Sequence, residues 1–148
     1  MSGDQPKLAR VYFRRDGKQV IVATVHHTPK GILVEGEGPL SLTTWNDEEL
    51  GESIQTALEQ SSITTREAPG KEPSSSPALK VSGEPSARSF EVAFTRVDLS
   101  VVGGLVLIDG TADKGELRLR IQVPEQRQPA DLARKAVRMF EILRDRKL

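Results

Sequence analysis

The 148-residue chain contains no cysteine. No disulfide can staple the fold, and no thiolate is present to attack a substrate or hold a metal. Aromatic residues make up only 4%, with one Trp, one Tyr and four Phe, so the core must be assembled from Val, Leu, Ile and Ala. No apolar run approaches the roughly 20 residues of a membrane-spanning helix. The opening residues lack the basic stretch and apolar run of a signal peptide. A cytoplasmic, soluble protein in a reducing compartment is the expectation. Neither Gly-x-Ser-x-Gly nor a phosphate-cradling glycine loop is present, since Gly36-Glu-Gly38 and Gly103-Gly104 match no such pattern.

The most telling absence is of positive charge over one stretch. Residues 31–65 hold no Lys or Arg, yet they carry Glu35, Glu37, Asp47, Glu48, Glu49, Glu52 and Glu59. The end of the chain is the reverse: Arg127, Arg134, Lys135, Arg138, Arg144, Arg146 and Lys147 outnumber Asp131, Glu141 and Asp145. The formal net charge of zero therefore conceals one acidic and one basic region. Segregated surfaces of this kind steer and select charged macromolecular partners.

Two patterned blocks flank a soft middle. In the first, residues 8–15 and 19–25 are β-rich and joined by Asp16-Gly17, a hairpin signal. Val11 and Phe13 alternate with Arg10, Tyr12 and Arg14, which predicts one wet face on the first strand. A third strand is expected at 31–37 or 40–44, with Gly and Pro residues marking a break between them. A helix is expected over 47–60. Asn46 can cap it with Glu49 three residues on, and Leu50, Ile54, Ala57 and Leu58 share a face.

Residues 61–89 contain Pro69, Pro73, Pro77 and Pro85 among many Ser and Thr. This segment is expected to be a loop or linker, with at most a turn of helix or strand at 78–81. In the second block, 90–99 and 101–109 read as strands. Residues 116–123 follow with the cleanest alternation in the chain: Leu117, Leu119, Ile121 and Val123 inward, Glu116, Arg118, Arg120 and Gln122 outward. Pro129 suits the first position of a closing helix whose apolar stripe is Leu132, Ala136, Val137, Phe140 and Leu143. The expected architecture is a single α+β domain, βββα–linker–βββα, with antiparallel sheet and both helices packed on one face.

Candidate chemistry is sparse. His26 and His27 are adjacent on a strand and so point to opposite faces, and no third His or any Cys completes a zinc-type ligand set. Glu35 and Glu37 share a strand face, but beside a glycine turn they read as solvated carboxylates rather than an acid/base pair. The basic closing helix lacks the stacking aromatics of a nucleic-acid module. No catalytic, cofactor or metal residues are assigned. The acidic residues Glu35, Glu37, Asp47, Glu48, Glu49 and Glu52 are assigned to partner binding. The helix dipole accounts for negative charge in a first turn, but not for the absence of every cation from 31 to 65.

The run Ala9-Arg-Val-Tyr-Phe-Arg-Arg-Asp-Gly-Lys-Gln-Val-Ile-Val-Ala-Thr-Val25 with its Gly-rich sequel, the segment Asn46-Asp-Glu-Glu-Leu-Gly-Glu-Ser-Ile-Gln-Thr-Ala-Leu58, and Ser86-Ala-Arg-Ser-Phe90 together touch about half of the chain. They resemble CdiI-type immunity proteins of bacterial contact-dependent growth inhibition systems. The resemblance implies a small, non-enzymatic antidote without cofactor that binds the C-terminal toxin domain of a cognate effector. It transfers no functional residue. Many such toxins are nucleases with basic clefts, which an acidic surface would complement. The alternative reading is a small scaffold or chaperone-like adaptor, monomeric or dimeric, that uses a sheet edge or the basic closing helix and has no toxin partner. Neither reading calls for nucleic acid or membrane.

Overall fold

The computed structural model describes residues 7–29, 32–36, 38–61, 77–112 and 115–145. Its strands are β1 (Lys7–Arg14), β2 (Val20–His27), β3 (Leu33–Glu35), β4 (Leu40–Leu42), β5 (Phe94–Val102), β6 (Leu105–Ala112) and β7 (Leu117–Pro124). Its helices are α1 (Asp47–Gln60), α2 (Pro77–Ser82), α3 (Ala87–Ala93) and α4 (Pro129–Asp145). All seven strands form one antiparallel sheet in the order β3-β2-β1-β5-β6-β7, with β4 beside β3 on the outer edge of β2. The expected α+β class with antiparallel sheet is therefore observed.

Local chemistry explains most boundaries. Asp16 Oδ1 accepts from the Lys18 amide at 2.9 Å, and Gly17 takes φ 80° in the β1–β2 turn. Both candidate third strands form. Each pairs with a different end of β2, and Gly36–Pro39 separates them. Asn46 caps α1 by accepting from the Glu49 amide at 2.8 Å, while Glu49 Oε1 accepts from Asn46 Nδ2 at 3.2 Å. The C-terminal end of α1 is pinned by buried Ser61. Its hydroxyl donates to the Val25 carbonyl at 2.6 Å and accepts from the Leu8 amide at 3.0 Å.

Two expectations are corrected. The strand expected at 90–99 begins only at Phe94, because 87–93 is helical. Ser86 caps α3, and the reciprocal partner is Ser89 rather than the usual Glu or Gln. The strand expected at 101–109 is two strands. Gly103 and Gly104 have φ 58° and 83° and make the two-residue turn between β5 and β6, a conformation that costs glycine little. The short turn of helix or strand allowed at 78–81 is helical: it is α2, which opens on Pro77 as a first-turn proline can. Residues 62–76 lie outside the described residues.

The sheet is covered on one face and only partly on the other, where Arg96, Arg118 and Arg120 stay exposed. On one side lie α1 and α4, which are the two expected helices sharing a face. Leu50, Ile54, Ala57 and Leu58 of α1 and Leu132, Ala133, Ala136, Met139 and Phe140 of α4 cover Val11, Phe13, Val22, Val97, Leu99, Val106 and Ile108. Phe13 and Phe140 stack at 4.8 Å between ring centroids. The helices cross at Gly51, where a Cβ would run into the carbonyl oxygen of Pro129. On the other side, α2 and α3 pack Ala78, Leu79 and Phe90 against Tyr12, Ile21 and Phe94. The face expected to be wet is thus covered where Tyr12 lies, and Tyr12 is buried.

Candidate functional site

The acidic residues singled out from the sequence do not form a single patch. Glu37 lies outside the described residues. Glu35 is buried, with its side chain only 5% exposed, on the sheet face away from α1. The register pairs Glu35 with Val25 across β2, which aims its carboxylate toward β1. There Oε2 accepts from the Tyr12 hydroxyl and, at 3.2 Å, from Arg10 Nη1. Arg10 also reaches Asp98 at 3.5 Å, and Arg96 pairs with Asp98 at 3.3 Å. Glu35 is therefore the anchor of an internal polar network, not a solvated carboxylate. Burial, reinforced by the Glu35 charge, pushes the Tyr12 hydroxyl well above the ordinary tyrosine range. Burial likewise raises the Asp98 carboxyl, against the pull of Arg96 and Arg10.

The other four residues lie together on α1. Asp47, Glu48, Glu49 and Glu52 are all exposed. Asp47 is matched by Arg134 of α4 at 3.3 Å, and Arg134 also holds Asp131 at 2.7 Å. Among the described residues no cation pairs with Glu48, Glu49 or Glu52. Glu48 and Glu52 stand four apart on the helix, where like charges repel by a few tenths of a kcal/mol. The helix dipole favours Glu48 and Glu49 in the first turn, but its effect has faded at Glu52. Local stability accounts for the first two and leaves Glu52 unexplained.

Glu49 and Glu52 border a groove of about 480 Å³ between α1 and the β2–β4 edge. Its apolar lining includes Val22, Leu40, Leu42 and Ala57, and its polar lining includes Thr24, His26, Ser53, Thr56 and Gln60. Among the described residues no Lys or Arg lines it. Gly36 packs beside it, since a Cβ there would stand 2.9 Å from His26 Nε2 and the imidazole would have to shift. His26 thus faces the groove while His27 is buried on the opposite face. A smaller hollow of about 370 Å³ lies on the other flank of α1, lined by Glu48, Glu52, Asp131 and Arg134 among others. Glu52 borders both hollows. The sequence signal for these carboxylates was the missing cations. The groove itself had no sequence signal, because β3 and β4 pair with β2 from separate three-residue strands. Among the described residues, no group of three or more His, Asp or Glu converges as metal ligands, and no helix is long and apolar enough to cross a membrane.

No protein-family model matches the chain, and no curated protein matches it. Its fold is shared with solved structures. One is a protein of unknown function from Neisseria meningitidis, at TM-score 0.65 and 15% identity, covering 93% of this chain and 96% of that one. Another is a chain of a CdiA-CT/CdiI toxin and immunity complex from Yersinia pseudotuberculosis, at TM-score 0.62 and 13% identity, covering 90% and 95%. The likeness at these identities is one of fold.

Proposed function

We propose that this protein is an immunity protein that binds and neutralises the toxin domain of a contact-dependent inhibition effector, and that it does so without catalysis. The observation that supports it most is the end-to-end fold likeness to a chain of the CdiA-CT/CdiI toxin and immunity complex. The charge distribution adds a surface to that likeness. Glu48, Glu49 and Glu52 stand exposed on α1 without a cationic partner among the described residues, and such a surface attracts a basic protein and repels a nucleic acid competing for the same cleft. Of the six acidic residues assigned to partner binding, Glu48, Glu49 and Glu52 carry the proposal. Asp47 shares its charge with Arg134, and Glu35 serves the interior.

The test is direct. The toxin domain encoded beside this gene is expressed in cells with and without the protein, and the purified pair is titrated calorimetrically. Rescue of growth and binding that weakens from about 0.05 M to about 0.5 M salt are expected. Failure to rescue and failure to bind would leave the proposal without support.

A further inference from the structure

We infer that the groove between α1 and the β2–β4 edge receives a partner segment that carries a Lys or Arg flanked by aliphatic side chains. This rests on the toxin-binding reading above and names the part of the surface that grips. The groove, at about 480 Å³, falls within the ~300–1,000 Å³ of pockets that enclose a ligand. Its buried lining at Val22 and Ala57 and its exposed Leu40 offer apolar surface. Among the described residues, and His26 aside, its ionisable lining side chains are Glu49 and Glu52, both exposed and neither paired with a cation.

That combination selects the occupant. Among the described residues, an anionic ligand would meet two carboxylates and no donor cation. A purely apolar one would strip water from Glu49 and Glu52 without replacing it, at a cost. A Lys or Arg satisfies both demands, because its aliphatic stem lies along apolar surface while its head reaches a carboxylate. Aliphatic neighbours on the same segment then cover Leu40 and Ala57. A second copy of this chain, offering Arg134, Lys135 or Arg138 of α4, is the competing occupant.

The experiment measures the affinity of the whole protein for the toxin domain encoded beside its gene. Ser53→Trp fills the groove without changing charge, and Thr56→Phe does so from an exposed position if the first variant fails to fold. A Glu49→Gln and Glu52→Gln double variant removes the charge. Glu59→Gln and Glu91→Gln are controls at exposed carboxylates outside the groove, and thermal melting verifies each fold. The groove-filling and double variants are expected to lose about tenfold or more in affinity, the scale of an interface hot spot, and the double variant to lose most of its salt dependence. Both controls are expected to stay within about threefold of the parent. Parental affinity in the folded groove-filling variant overturns the groove assignment and leaves the toxin-binding reading intact. No binding by the parent protein overturns both. Self-association that Ser53→Trp abolishes overturns the assigned occupant in favour of a second copy.

Discussion

Glu35 is the residue whose role differs most from its sequence context. A carboxylate held by a tyrosine hydroxyl and an arginine inside a protein repays its desolvation only while both partners remain. Glu35→Ala should therefore lower stability by about 1–3 kcal/mol in urea unfolding, since it strands the Tyr12 hydroxyl in the interior. Tyr12→Phe should cost about as much, roughly 1.5–3 kcal/mol for a hydrogen bond to a charged group. The two losses should not add, because each variant breaks the same contact. Tyr12 is the only tyrosine in the chain, so its ionisation can be followed by ultraviolet absorbance. Its folded-state pKa is raised above the unfolded value of about 10. Its contribution is thus fully present below that pH and is lost as pH rises beyond it. Phenolate absorbance should appear only together with alkaline unfolding, and Tyr12→Phe should unfold at a higher pH relative to its own neutral stability. Phenolate forming near pH 10 in the still-folded protein would contradict the burial of this hydroxyl.

Among the elements, α1, β7 and α4 were legible because each announces itself locally: a cap at Asn46, strict alternation over Leu117–Val123, and a first-turn proline at Pro129. Asn46→Ala should cost about 1 kcal/mol of stability through loss of that cap, measurable as a lowered melting temperature. What the sequence hid is equally physical. The capping box of α3 uses Ser89 where Glu or Gln would have flagged a helix start. The Gly103-Gly104 turn sits within an apolar run that reads as one strand. Glu35 looks solvated until the pairing of β3 with β2 is known, and three residues carry too little periodicity to fix a register. Gly51 illustrates how packing overrides local preference. Replacing a mid-helix glycine by alanine ordinarily stabilises by roughly 0.5–1 kcal/mol. Here the new Cβ would strike backbone at Pro129, so Gly51→Ala should instead destabilise by about 1–3 kcal/mol. Gly110→Ala is the useful contrast. Its Cβ would meet the flexible ends of Leu143 and Met139 at 2.6 and 2.8 Å, so calorimetric melting should show a smaller loss than at Gly51.

For the whole molecule, the charge asymmetry read from composition survives in coarser form. Glu48, Glu49 and Glu52 stand on α1 without a cationic partner among the described residues, while Asp47 and Glu35 are occupied by the protein's own arginines. If those three steer association, a Glu48→Lys, Glu49→Lys and Glu52→Lys triple variant should slow the on-rate for the toxin domain about tenfold or more at low salt and much less at high salt. Stopped-flow mixing at two ionic strengths would read this, and an unchanged on-rate would place the contact elsewhere. The pairing of Lys7–Arg14 with Phe94–Val101 bears on how the molecule is made. During synthesis the first hairpin leaves the ribosome with one flank of β1 bare, and its mate is translated only after every residue of the first half. Completion of the sheet waits on that late segment, so a nascent chain stalled before β5 has nothing to shield its central strand, and it is there that a chaperone would be needed.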